Sequence, residues 1–342
     1  MARFGATVAL ATLALVGSAR PAAADAARPG NVRSTVQAII PTTSAVTASI
    51  RGGDAFLQIV VAPGHEVVVL DYDDPPQPYL RVGKDGIVEE NHNSKAFYQN
   101  RSRYNTEPPS SLVDGSPPDW LRVSGGGTAQ WHDHRVHWMA RTTPPPTDWE
   151  VPMLVDGVAT RVTGHYQPVS APTSAPWLAT ALGIAAAMIL SARRRPLVAA
   201  VATAAAAVLA LPVAIAEGHV AGQGGAAYVL AVLPAAALLA AAGAMVSASG
   251  AGARRRTPVS GALLAGAGAA IALWAFRRLA VLHSAVLVTS TPATLDRVSV
   301  AVGLGVGVGA MVVGVLATGV ASRGMPAGRP ARPTRPPTPP AR

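Results

Sequence analysis

The feature that most constrains this chain is a set of five apolar stretches crowded into its C-terminal half, at residues 177–192, 196–216, 226–249, 259–276 and 299–320. A helix rises 1.5 Å per residue and the hydrocarbon core of a bilayer is about 30 Å thick, so roughly 20 apolar residues make one crossing. The stretch at 177–192 covers only about 24 Å at that rise and must borrow from the Ser/Ala/Pro linker at residues 168–176. Residues 177–321 therefore read as an all-α transmembrane bundle of about five helices, with the lipid bilayer as its solvent.

Charge gives the bundle a direction. The formal charge of +10 suggests nucleic acid until it is sorted along the chain. Acids outnumber bases between residues 25 and 173, whereas Arg193, Arg194, Arg195, Arg254, Arg255 and Arg256 fall between spans with no acid beside them. Arg323, Arg329, Arg332, Arg335 and Arg342 belong to a basic Pro-rich tail, residues 322–342, whose composition predicts disorder. Positive charge stays on the cytoplasmic side of a membrane protein. If the N-terminal domain is exported, all three Arg groups land inside and the C-terminus is cytoplasmic. Arg277, Arg278 and Arg297 lie on the opposite side, where 277–288 reads either as an interfacial amphipathic segment or as an extension of the fourth helix. This is a topology signal and excludes a nucleic-acid footprint.

Residues 1–24 have the form of a cleaved signal peptide: Arg3, an apolar run at 6–16, and Ala22-Ala23-Ala24 as a cleavage site. The mature domain at 25–167 then carries short β-branched runs at 36–40, 45–50, 56–62, 66–70, 79–82, 87–90, 151–155 and 158–166. Arg51-Gly52-Gly53-Asp54, Lys84-Asp85-Gly86 and Asp156-Gly157 supply the positive φ that hairpin turns need. This spacing predicts a β-sandwich of immunoglobulin-like type. Residues 91–118 are polar and Pro-rich, and read as one long connection. With no cysteine in the chain, the domain has no disulfide and no thiolate ligand, and burial alone must hold it together.

The string Trp131-His132-Asp133-His134-Arg135-Val136-His137-Trp138-Met139 carries three imidazoles, a carboxylate and a thioether in nine residues. Copper favours imidazole and thioether, and zinc takes imidazole and carboxylate. His132, His134 and His137 are therefore the candidate metal ligands. As a strand, the string would put His132 and His134 on one face and His137 on the other; a turn at 133–135 would gather all three. The competing interpretation makes Trp131 and Trp138 core anchors, with His and Asp hydrogen-bonded to Arg135 and nearby loops. A third is a contact surface for another envelope protein or a glycan.

Other motifs carry little chemistry. Asp71-Tyr72-Asp73-Asp74 begins like a calcium loop, but Pro75 and Pro76 break it. The preference for Arg over Lys and the abundance of Ala, Gly and Pro look like the coding bias of a high-GC bacterium, in which the glycosylation pattern Asn100-Arg101-Ser102 means little. Glycines at 303, 305, 307 and 309 form two overlapping small-xxx-small pairs in an apolar span, a signature of close helix packing. No nucleophile elbow, zinc-protease helix or phosphate loop occurs, and Glu217 at a span edge is nearly alone as an ionisable residue there, so neither an enzyme nor a proton-driven pump is expected.

The signal peptide, the string at 131–139 and the bundle together resemble uncharacterised actinobacterial exported multi-pass membrane proteins. The order of outer sandwich and helical bundle is also similar to copper-handling fusions of a CopC-like domain with a CopD-like membrane part. That second resemblance implies copper handling, but a mature chain starting at Asp25 lacks the N-terminal His of a CopC-like site, so no family residue carries over. The expectation is a plasma-membrane protein of the bacterial envelope, its outer domain binding copper or zinc through the His cluster and coupling it to the bundle. The alternative is a non-enzymatic assembly or anchoring protein whose outer domain binds protein or glycan without metal.

Overall fold

A computed structural model describes residues 28–101, 107–113, 115–138, 147–192, 195–221, 228–249 and 258–323. The stretch expected to be a signal peptide, Met139, Arg193, Arg194, Arg254, Arg255, Arg256 and the tail beyond Arg323 lie outside the described residues.

The N-terminal half is a β-sandwich. Its strands are β1 Val32–Ile40, β2 Val46–Arg51, β3 Phe56–Val61, β4 Val67–Leu70, β5 Pro78–Val82, β6 Val88–Asn91, β7 Trp120–Ser124, β8 Thr128–Trp131, β9 Asp148–Val155 and β10 Val158–Pro168. Seven form one antiparallel sheet in the order β1-β10-β9-β4-β5-β6-β7, and three form the other, β2-β3-β8. Alternation does the folding work: Trp149, Val151, Met153 and Val155 of β9 point inward with polar or partly exposed neighbours between them. Each fully buried side chain of this size stabilises by about 1.5–3 kcal/mol, and with no disulfide this burial carries the domain. Asp156 (φ 48°) and Gly157 (φ 80°) make the two-residue β9–β10 turn the sequence predicts.

Three elements were not expected. Within the long connection, Ser94 Oγ accepts from Ala96 N at 3.2 Å and starts a short helix, α1 Lys95–Gln99. Strands β7 and β8 lack long β-branched runs. They form because β6 and β3 offer them open edges, and β7 remains an outer edge with Leu121 and Val123 about half exposed.

Five apolar helices follow: α2 Ala175–Ala192, α3 Pro196–Ala221, α4 Val229–Ser249, α5 Pro258–Arg277 and α6 Ala293–Arg323. All five are long and apolar enough to cross a membrane. The first does borrow from the linker, starting at Ala175, and the last begins six residues before its apolar run. Leu182, Leu190, Leu239 and Val246 are each about two-thirds or more exposed on the outer faces, where a helix in water would carry polar groups. Such faces suit lipid.

The alternate glycines of α6 face different neighbours. A Cβ on Gly307 would stand 2.6 Å from Ala272 N, and one on Gly314 2.4 Å from Ala265 N, both on α5. A Cβ on Gly305 would meet Ala181 O at 2.5 Å, and one on Gly309 the Met188 side chain at 2.5 Å, both on α2. The two small-residue pairs thus let two helices approach one backbone.

The segment at 277–288 is neither of the forms expected. Helix α5 stops at Arg277, a 3-10 turn occupies Leu279–Leu282, and Arg278 is buried instead of reaching for headgroups.

Candidate metal centre

Strand β8 ends at Trp131, and the chain turns at once. Asp133 O accepts from Val136 N and His137 N, both at 3.1 Å, so the string is a turn and not a strand. The Asp133 side chain fixes that turn. Its Oδ1 accepts from Arg135 N and Nε at 2.9 Å, and its Oδ2 accepts from Trp131 Nε1 at 2.9 Å and Arg135 Nη2 at 2.8 Å. Burial pushes the Asp133 carboxyl up, but the Arg135 guanidinium and these donors outweigh it, holding its pKa below the usual range. Arg135 also donates to Leu70 O and Asp71 O at 3.1 Å and lies over the Tyr72 ring. Asp133 is thus structural and does not face a ligand.

The turn gathers the three imidazoles. His132 lies between the others, its ring centre 5.1 Å from that of His134 and 4.7 Å from that of His137. His132 Nδ1 is 2.8 Å from Ala55 O, an arrangement that places the proton on Nδ1 and leaves the lone pair on Nε2. Burial and then the neighbouring His137 lower its pKa to about 4, so the ring is neutral at physiological pH. His137 Nδ1 stands 3.1 Å from Asp54 Oδ2, an ion-pair distance whose angles miss those of a hydrogen bond. His134 stacks on Tyr72 at 6.2 Å, and its backbone N–H donates to Tyr72 Oη at 3.1 Å.

Two features suit a metal. The Nε2 atoms of His132 and His137 are buried without a hydrogen-bond partner, which costs about 1–3 kcal/mol each if nothing else satisfies them. His132 also has a carbonyl at Nδ1, the outer-shell arrangement of metal-bound histidine, and the Asp54 carboxylate stands at ion-pair distance from His137 Nδ1. Two imidazoles bound through nitrogen at about 2.0–2.1 Å to one tetrahedral ion hold their ring centres roughly 5 Å apart, close to the spacing here. One feature does not fit: among the described residues no three His, Cys, Asp or Glu side chains are already disposed around one metal position. What exists is a two-imidazole seat with a third imidazole beside it.

Residues outside the string complete the picture. Asp54 and Ala55 belong to the β2–β3 turn, which the sequence marks only as a turn. Asp54 Oδ2 also accepts from Trp138 N at 3.1 Å. The opposite side of this turn meets the bundle: a Cβ on Gly52 would lie 3.2 Å from Val220 and Val288, and one on Gly53 1.9 Å from Val286. Gln130, two residues before His132, donates from Nε2 to Val220 O at 2.8 Å. Gly30 and Val286 exchange both backbone hydrogen bonds at 2.9 Å, and Ala285 N donates to Asn31 Oδ1 at 2.8 Å.

A second polar group lies beneath this contact. Arg278 donates through Nη2 to both oxygens of Asp296, at 2.8 and 2.9 Å, and its Nη1 contacts Glu217 Oε2. Arg278 and Asp296 are fully or almost fully buried. The sequence hides this triad because its members are 61 and 18 residues apart (278 − 217 and 296 − 278) and each looks like an ordinary charge at a span edge.

Compared with family models, with curated proteins and with solved structures, the chain matches none. The site is therefore interpreted from its own chemistry.

Proposed function

We propose that this is a multi-pass plasma-membrane protein of the bacterial envelope whose outer β-sandwich binds copper or zinc, through His132 and His137 with His134 as the third ligand. The pair of buried, unpartnered Nε2 atoms on His132 and His137 carries the proposal, since a cation that accepts both lone pairs removes an otherwise standing cost. Imidazole with no thiolate anywhere in the chain favours copper or zinc over softer clusters.

The sandwich faces away from the cytoplasm. Helix α2 leads from the sandwich to Arg195, and the residues joining α4 to α5 include Arg254, Arg255 and Arg256, so these charges belong to the side that positive residues keep inside. The chain has no cysteine, which makes Thr257→Cys and Thr289→Cys clean probes. A membrane-impermeant maleimide should label Thr289→Cys in intact spheroplasts and leave Thr257→Cys unlabelled; the reverse overturns the orientation.

Metal binding is tested on the purified full chain in detergent by competition with a chromophoric chelator. One Cu or Zn ion per chain is expected, with the ion lost in His132→Ala and His137→Ala variants that still unfold cooperatively. Binding unchanged in both variants, or none at micromolar metal, overturns the proposal.

A second role is favoured by strand β7, the last of its sheet among the described residues, where Leu121 and Val123 stand about half exposed. On that basis the sandwich is an anchoring module for an envelope protein or glycan, and the His cluster is structural. Loss of partner binding on Leu121→Lys with no His-dependent metal would favour it.

A further inference from the structure

The turn at 51–55 touches the candidate metal centre and the bundle with consecutive residues. On one side Asp54 Oδ2 stands 3.1 Å from His137 Nδ1 and Ala55 O stands 2.8 Å from His132 Nδ1. On the other, Gly52 and Gly53 approach Val220, Val286 and Val288 so closely that a single added carbon at Gly53 would overlap Val286 at 1.9 Å. Both glycines also have positive φ, 66° and 84°, so the turn has no easy alternative shape with other side chains. A shift of either histidine must move the turn, and the turn cannot move without displacing the bundle residues behind it.

Those bundle residues form one unit. Val220 lies in the last turn of the helix that carries Glu217, while Val286 and Val288 sit in the 283–292 connection, whose two flanks are tied by the Arg278–Asp296 ion pair. Arg278 contacts Glu217 as well, and Arg297 donates to Val281 O at 3.3 Å and Ser284 O at 2.8 Å. The triad therefore locks together both patches that the sandwich touches. Gln130 adds a second strut, from the strand leading into His132 to Val220 O.

We infer that the 51–55 turn is a coupling element, passing occupancy of the His132/His137 seat to the sandwich-facing ends of α3 and α6 and the connection between α5 and α6. This rests on the metal proposal above and adds to it a route and a receiver. Coupling of this kind is reciprocal: whatever factor the ion applies to the bundle, the bundle applies to the ion's affinity.

The test uses the full chain in lipid nanodiscs, with zinc or copper alone as the probe. Hydrogen exchange is followed in peptides covering 217–221 and 279–289, and metal affinity is measured on the same samples. Metal is expected to slow exchange in both segments by about fivefold, the lower end of ordinary allosteric coupling. Gln130→Ala combined with Val286→Ala, which trims the struts without touching the histidines, should keep metal binding, abolish the protection and change affinity by a similar factor. Gly53→Ala should do the same more severely; the milder pair guards against misfolding. His-dependent binding with unchanged exchange in both segments overturns the coupling and leaves the metal proposal standing. Protection that survives the double substitution overturns this route. Absence of His-dependent binding overturns both.

Discussion

Arg277 and Arg278 are adjacent in sequence and opposite in environment, and replacing each by Met should give very different results. Arg277 is exposed at the end of α5, whereas the Arg278 side chain is 5% exposed and holds a wholly buried Asp296 by two hydrogen bonds. Removing Arg278 leaves two carboxylates, Asp296 and the mostly buried Glu217, without their guanidinium. Breaking a buried pair from one side costs about 3–5 kcal/mol, because the desolvated charge persists after its partner has gone. The stacking of the guanidinium over Trp274, at 5.4 Å, adds only about 0.5–2 kcal/mol, so the orphaned carboxylates dominate. Arg277→Met should stay within about 0.5 kcal/mol of the parent. Replacing all three members together, Glu217→Met, Arg278→Met and Asp296→Leu, should recover most of the loss, since no charge then remains to be solvated. Unfolding in mixed detergent micelles, monitored by circular dichroism, measures all four proteins. If Arg278→Met and Arg277→Met lose equal stability, or the triple variant is the least stable, the triad does not hold the bundle as described.

Three further outcomes are expected. Folded protein keeps His132 neutral down to about pH 4 while the unfolded chain takes up the proton near 6.5, so metal-free stability should fall as pH drops through that window, by up to about 3 kcal/mol; denaturant titrations against a His132→Asn variant should show the difference flattening, and parallel pH profiles would contradict it. Gly307→Ala should destabilise the bundle by about 1–3 kcal/mol because its Cβ meets Ala272 N at 2.6 Å, whereas Gly266→Ala, with nothing within 4 Å, should be neutral or stabilising by up to about 1 kcal/mol. Gly164→Ala should unseat Trp149, whose ring atoms lie 2.0 and 2.2 Å from the added carbon, and be read as loss of the domain's near-ultraviolet dichroism.

What could be read from sequence was whatever repeats with a period. Alternation in β9 and β10 and the Asp156-Gly157 turn fixed the main hairpin of the sandwich, and apolar length fixed the five helices. Strand β7 escaped because an edge strand with four of five residues exposed has no inward face to betray it. In the His string, the sequence left open whether a strand or a turn follows Trp131; the deciding term is the Asp133–Arg135 pair, whose strength depends on burial that only the fold supplies. Asp54 and the Glu217–Arg278–Asp296 triad were out of reach for a different reason. Their partners are distant in the chain, and a charge at a span edge looks the same whether it snorkels or is paired.

The glycine faces of α6 also order the assembly of the chain. Helix α2 packs mainly on α6 and only slightly on α3, which follows it directly. The first of the five helices therefore finds its main neighbour only when the last one arrives. Until then the sandwich hangs on a span with a loose flank, and the connection it rests against has not yet been closed by Asp296. The C-terminal helix acts as a keystone: a chain cut short before residue 293 loses the wall shared by α2 and α5 and, with it, the floor under the sandwich.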